Sequence, residues 1–593
     1  MRKVLASLVI LVLLVASLTA CQADGPAAEP GGNQADVAAG DDTAVDDTAN
    51  DETGNGEAAT DEAANDETAD DTAPEADGFV AVEGGTLVIG EFIHDAQLAA
   101  INPFLPANTW AGGLGFMYEV LFFFNVISGE LEPELGMSYS WDDDFMVLTV
   151  YMNTEASWHD GQPVTAEDVA FTYNVLREYE VLDRFGLWGF LSEVRAEGDT
   201  VVFELSTTFL SLPYYMSEIF IVPQHIWADS PDITLELNEE PIGSGPFMWA
   251  SYTYGTSITF DANPNFWRGA PRVDTLIVNM YNTSPNVTLA LIRGDIQATM
   301  GTIAVPQLPE FLAQPYANIR VMPGVSNFVV SFNLENPLLQ DPIVRQAIVL
   351  AVDQETLISR AELNTVYPAS AGWLSSIFGD IQHAEAAASS LVFDPNAAVE
   401  LLEDNGYVRG DDGIFITPDG ERLSFTYHNP AGAPAQQMAA GMVQQWLLNI
   451  GIEIIPRLAT WPELTHLLQS GDFDLLQTGI AMPPDPFAAL NSVFHSSMTA
   501  PTGEPTPGLN YFRYRNPVVD DLLDRAAVET DPDIRRELLL EVQEIVAYDA
   551  LFIPQYNIGP RIPFYDGLEV SGWIDDASIM SRRGIIKVFE IQR

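Results

Sequence analysis

The run Trp158-His159-Asp160-Gly161-Gln162-Pro163-Val164-Thr165-Ala166-Glu167-Asp168-Val169 organises the reading of this 593-residue chain. Asp160-Gly161 is a turn pair, with glycine free to take the positive φ that a sharp reversal needs. Thr165, followed three residues later by Asp168, approximates a capping box in which each side chain satisfies a free amide of the other. Val169, Tyr173 and Leu176 then recur at helical spacing. The run reads as strand, tight turn and capped helix, and its residues are scaffold rather than a site.

Outward from this run the pattern is mixed α/β. Thr86-Leu87-Val88-Ile89-Gly90 reads as an opening strand, and 145–152 and 201–205 as further strands. Several helices open on a side-chain acceptor followed by proline, which caps the free amides and fits the first turn. Asp341-Pro342 opens one with Val344, Ile348 and Val352 on one face. Asp394-Pro395 opens one with Ala398, Leu401 and Leu402 inward, closed by Asn405-Gly406. Asn516-Pro517 and Asp531-Pro532 open two more, the last carrying Ile534, Leu538, Val542 and Ile545 inward. No internal repeat occurs, and the chain beyond residue 78 is long enough for two or three lobes.

The N-terminus has a different character. Met1-Arg2-Lys3 is followed by an almost wholly apolar run, 4–18, and then by Leu18-Thr19-Ala20-Cys21, whose cysteine is the only one in the chain. The run is shorter than the ~20 residues that span a bilayer core as a helix, and it fits a cleaved export signal, residues 1–21. Small residues before the cysteine resemble the bacterial lipobox, which implies lipidation of Cys21; an ordinary signal peptide that contains a cysteine is the alternative. Residues 22–78 are rich in Ala, Asp, Glu, Thr and Gly, with no Lys or Arg. Such a stretch cannot bury enough apolar surface to order itself, and its like charges extend it beyond the roughly 40 Å of a flexible coil. It reads as a tether, the other reading being an acidic docking tail.

The formal charge is −61, or −63 once Arg2 and Lys3 leave with the signal, and no Lys or Arg occurs between Lys3 and Arg177. Nucleic acid and anionic headgroups both require clustered cations, so neither is a partner. The seven histidines, 94, 159, 225, 383, 428, 466 and 495, show no paired metal-ligand spacing, and there is no GxSxG or GxxxxGK[ST] motif. Neither a metal, a cofactor nor an enzymatic reaction is expected.

Several segments together resemble the family 5 extracellular solute-binding proteins, the oligopeptide-, dipeptide- and nickel-binding receptors of ABC importers. Besides the opening run with Leu131-Glu132-Pro133 before it, these are Gly84-Gly85-Thr86-Leu87, Ile221-Val222-Pro223-Gln224-His225-Ile226-Trp227, Pro241-Ile242-Gly243-Ser244-Gly245-Pro246-Phe247, Asn263-Pro264-Asn265-Phe266-Trp267-Arg268-Gly269, Asp341-Pro342 and Asp485-Pro486. The resemblance extends over 84–593. It implies an α/β fold of the periplasmic-binding-protein-like type II (cluster C) class, two lobes around a cleft plus an inserted third domain. The implied division is 79–122, 241–330 and 556–593 for the first lobe, 123–240 for the insertion and 331–555 for the second lobe. Crossings near Ser331-Phe332-Asn333 and 554–557 would form the hinge. The implied function is capture of an extracytoplasmic peptide, saccharide or similar solute by a monomer, held at the membrane by its lipid, for an ABC permease. A sensory receptor without transport and a secreted hydrolase on the same scaffold are the other readings.

In peptide-binding members an aspartate three residues before the Asp-Pro pair holds the ligand's α-amino group; here that position is Met482, which cannot pair with an ammonium. Asp485 is a second acceptor nearby, though aspartate before proline is also simply a helix cap. Trp110, Trp373 and Trp461 lie in loops expected near the cleft, where an indole either stacks on a ligand or closes the core. Tyr556 and Asn557, beside the second crossing, complete the expected ligand-binding set.

Overall fold

A computed structural model describes residues 80–592 apart from 83, 93–101, 105–114, 302, 325, 389–391, 432 and 574–581. Cys21, the tether and Trp110 lie outside the described residues. The run from Trp158 folds as its local chemistry dictates. Gly161 has φ 88°. Thr165 caps the helix Ala166–Glu178, and the Asp168 carboxylate accepts from the Thr165 amide at 2.8 Å and the Trp158 indole at 3.2 Å. The other Asp168 oxygen accepts from the Gln224 amide at 2.8 Å, so one carboxylate joins three segments.

Three large sheets organise the described residues. A four-stranded antiparallel sheet runs Gly136–Trp141, Val147–Met152, Thr200–Leu205, Leu191–Glu197, with the helix Ala166–Glu178 against its last two strands. A seven-stranded sheet is ordered Ala317–Val321, Arg561–Tyr565, Ala298–Thr299, Thr86–Phe92, Thr275–Tyr281, Ser257–Ala262, Phe247–Thr253. A six-stranded sheet is ordered Tyr367–Pro368, Phe552–Ile558, Ser326–Phe332, Leu475–Ala481, Ser424–Pro430, Glu453–Ala459. The apolar core of the four-stranded sheet, Val150 and Phe203 among it, is continuous with that of the seven-stranded sheet at Leu87 and Val278. The six-stranded sheet has separate cores on its two faces, one around Phe328, Tyr427 and Val443 and one around Trp373, Phe494 and Phe552.

The proline-led helices form with the expected caps: Asp341, Asp394, Asn516 and Asp531 each accept from a first-turn amide. Each such cap contributes about 1 kcal/mol. In the helix Pro532–Asp549 the buried stripe is Leu538, Leu539, Val542 and Val546, whereas Ile534 in the first turn is 46% exposed.

The expected hinge positions are corrected by the strand register. Ser331 and Phe332 lie inside the strand Ser326–Phe332, and 554–557 inside Phe552–Ile558, both central to the six-stranded sheet. The chain passes between the six- and seven-stranded sheets at Met322-Pro323-Gly324 and at Gly559-Pro560. Met322 donates its amide to Pro560 at 3.1 Å, binding the passages together. A Cβ on Gly324 would stand 1.6 Å from the Ile558 carbonyl oxygen, and one on Gly559 2.0 Å from that of Met322, so glycine is what lets the two passages touch.

Candidate functional site

Four of the residues singled out in the sequence converge where the six-stranded sheet meets these passages. Their common neighbour is Asn327, fully buried in the strand Ser326–Phe332. Its amide nitrogen donates to the Trp373 carbonyl at 2.6 Å and to the Met482 sulfur at 3.7 Å. Its oxygen accepts from Asn557 at 3.2 Å; the same Asn557 nitrogen donates to the Ser326 carbonyl, and the Asn557 oxygen accepts from the Gly324 amide at 2.6 Å. Ser375 closes the circuit by donating to the Gly324 carbonyl at 3.0 Å. Tyr556 lies beside this node, its ring stacked on Phe328 at 5.2 Å and 2°. Buried amides of this kind are stable only when their polar atoms are matched, and the passage Gly324 is held by Asn557 of the neighbouring strand and by Ser375.

Trp373 differs from the expectation of a ligand-stacking platform. Its backbone has φ 83°, and its indole is fully buried, meeting Phe494, Phe512 and Phe552 edge-on at 5.3–6.2 Å. What Trp373 presents to the node is its carbonyl. Met482 is likewise 3% exposed and part of the same core, so its sulfur faces Asn327 rather than a ligand amine. Trp461 stands apart: it is 47% exposed and opens the helix Trp461–Ser470. Its neighbours Pro462 and Glu463, with His428, Arg457 and His466, line an open groove of about 490 Å³ on the outer strands of the six-stranded sheet.

Asp485 caps the helix Pro486–Phe494, accepting from the Ala488 amide at 2.8 Å. Its second oxygen is buried without an aligned donor, 3.7 Å from the Arg535 guanidinium. The cap reading of this aspartate therefore describes its geometry. Across from it, the short helix Leu212–Tyr215 carries two tyrosines whose hydroxyls are pushed up to about 12, chiefly by burial and further by the charge of Asp485. Phe124, at 6.2 Å from Tyr214, packs against the core that holds Trp373. The region 122–215 thus borders the six-stranded sheet at its Met482–Asp485 end.

Asn327 and the tyrosine pair escaped sequence reading. An asparagine beside Phe328-Val329-Val330 is a usable signal, because a polar amide in a buried strand requires partners; nothing local marks Tyr214 or Tyr215. Among the described residues no group of three or more His, Cys, Asp or Glu is arranged to hold a metal ion, and no helix is long and apolar enough to cross a membrane.

Residues 130–500 match the bacterial extracellular solute-binding proteins, family 5 Middle. The oligopeptide-binding protein AppA of Bacillus subtilis is 27% identical over 486 residues, covering 78% of this chain and 84% of that protein. In fold the chain is similar to a periplasmic oligopeptide-binding protein of Thermotoga maritima, with TM-score 0.74 and 22% identity over 86% of this chain and 99% of that one. It is similar also to a mannohexaose-bound form of the Thermotoga protein, with TM-score 0.65 and 23% identity over 86% and 98% of the two chains. The described sheets and the family match agree on the type II periplasmic-binding-protein fold. The chain belongs to the family 5 bacterial extracellular solute-binding proteins, the substrate-binding and non-enzymatic components of ABC transporters.

Proposed function

We propose that this chain is the lipid-anchored receptor of an importer, closing two lobes on an oligopeptide or oligosaccharide and delivering it unchanged to the permease. The observation that carries the reading is the junction itself. The six- and seven-stranded sheets are joined by the adjoining passages Met322-Pro323-Gly324 and Gly559-Pro560, beside a buried polar node. Two short, adjacent connections are the geometry of a hinge, and a cleft between the bodies they join is where a solute is enclosed. The first lobe is the seven-stranded sheet with its insertion, and the second is the six-stranded sheet. Cys21 carries the acyl chains, residues 22–78 span the distance from the membrane, and the protein acts as a monomer.

Two observations bear on the ligand. The B. subtilis relative is named for oligopeptide binding, and the Thermotoga structure holds mannohexaose. The position three residues before Asp485-Pro486, an aspartate in peptide-binding members, is Met482 here and is turned into the core, so that amine anchor is missing and a solute held through neutral groups is favoured. Native mass spectrometry of protein purified from its host tests the reading. The expected result is a bound solute that denaturation releases intact. Protein that converts the released compound, or that retains none under any growth condition, overturns it.

A further inference from the structure

Glu362 follows the helix Gln354–Ala361, which packs on the strand Phe552–Ile558 of the six-stranded sheet. The two residues after it, Leu363 and Asn364, have φ of 51° and 58°. Two successive side-chain-bearing residues in the left-handed region are strained, and leucine has no local hydrogen bond to compensate. Leu363 is 40% exposed, so the strain does not serve to bury it. What the turn positions is the Glu362 carboxylate, which is 1% exposed. The turn is held by Thr365, whose amide and hydroxyl donate to the Glu362 carbonyl at 3.0 and 2.6 Å.

The neutral group beside this carboxylate is the Tyr556 hydroxyl, which donates toward it and whose pKa is raised above its ordinary value by burial and then by the Glu362 charge. The counter-charge of Glu362 is Arg561, with Nη2 2.9 Å away and the side chain 13% exposed. Arg561 belongs to the other sheet: it opens the strand Arg561–Tyr565, one residue beyond the passage Gly559-Pro560. A buried carboxylate is tolerated only while an opposite charge stands against it. Parting the sheets would remove Arg561 but admit water to both groups, whereas removing Arg561 with the sheets together leaves the buried charge with only the neutral Tyr556 hydroxyl against it.

We infer that Glu362 and Arg561 form a latch across the passages, and that these positioning residues set the balance between the open and closed receptor and so its affinity for solute. This rests on the hinged reading proposed above.

The single native cysteine allows clean spin labelling. In the full chain with Cys21→Ser, labels are placed at Ser251→Cys and Asn449→Cys, exposed positions on the two sides of the junction. Electron–electron double resonance then measures their separation in protein refolded free of solute. Arg561→Met is expected to shift the closed-to-open ratio at least about tenfold toward the longer separation, and adding Glu362→Gln to return it. A melting temperature lowered by Arg561→Met with an unchanged distance distribution overturns the latch. If Arg561→Met does not fold, Arg561→Lys takes its place, with a smaller lengthening expected and an unchanged distribution again decisive. Two separations in the parent that Arg561→Met leaves in the same ratio defeat the latch alone. One invariant separation in the parent, with or without co-purified solute, defeats the hinged reading itself.

Discussion

Acid should weaken this protein through His159, and the loss can be worked from the geometry. The ring bridges two segments: Nδ1 accepts from the Gly243 amide at 3.1 Å, and Nε2 donates to the Gly245 carbonyl at 3.0 Å. That arrangement requires the neutral ring, because a proton on Nδ1 would face the Gly243 N–H. Burial lowers the pKa from its ordinary 6.5 to about 4, against the opposing effects of the bond to Gly245 and the charge of Asp160. The folded state therefore binds this proton later than the unfolded chain. The stability contributed by neutral His159 is complete above about pH 6.5 and is lost as pH falls from there to about 4. At ~1.4 kcal/mol per pH unit, and allowing for partial solvent contact, the loss is about 2–3 kcal/mol. His159→Gln keeps an acceptor and a donor without a titrating group. Urea unfolding followed by tryptophan fluorescence at pH 7.5 and 4.5 should show the parent losing about 2 kcal/mol more than the variant, since pH 4.5 stops short of the folded-state pKa. Parallel losses in the two proteins would refute the reasoning.

Two other expectations use stability and location. Trp373→Ala, which empties a site walled by three phenylalanines, should cost about 3–5 kcal/mol, whereas Trp461→Ala on the exposed helix start should cost less than about 0.5 kcal/mol. Denaturant melts that give the two equal effects would contradict the burial argument. Cys21→Ser should move the protein from the membrane pellet to the soluble fraction on cell lysis; undiminished pelleting would exclude lipid anchoring through this residue.

Elements whose signals are local are legible in the sequence. Thr165 and Asp168 cap the helix they precede, and Asp341, Asp394, Asn516 and Asp531 start theirs, because a cap acts on amides two or three residues away. The segments 84–87, 158–169 and 241–247 disclosed the family for a related reason: tight turns and close approaches restrict which residue types can occupy them. The buried polar node and the limits of the lobes were not legible. Ser326–Phe332 is a run of strand-forming residues that nothing in its composition assigns to one sheet or the other; only its pairing with Leu475–Ala481 and Phe552–Ile558 does so. Whether an indole in a glycine-flanked loop meets solvent or core is likewise undecided until neighbours distant in sequence arrive: Trp373 turned inward onto three phenylalanines, and Trp461 stayed outside. The sequence by itself thus determined the helices, the turns and the family, all of which depend on residues within a few positions of one another. Tertiary structure alone decided which side chains meet at the passages, since Asn327, Trp373, Met482 and Asn557 become neighbours only when strands far apart in the chain are laid side by side.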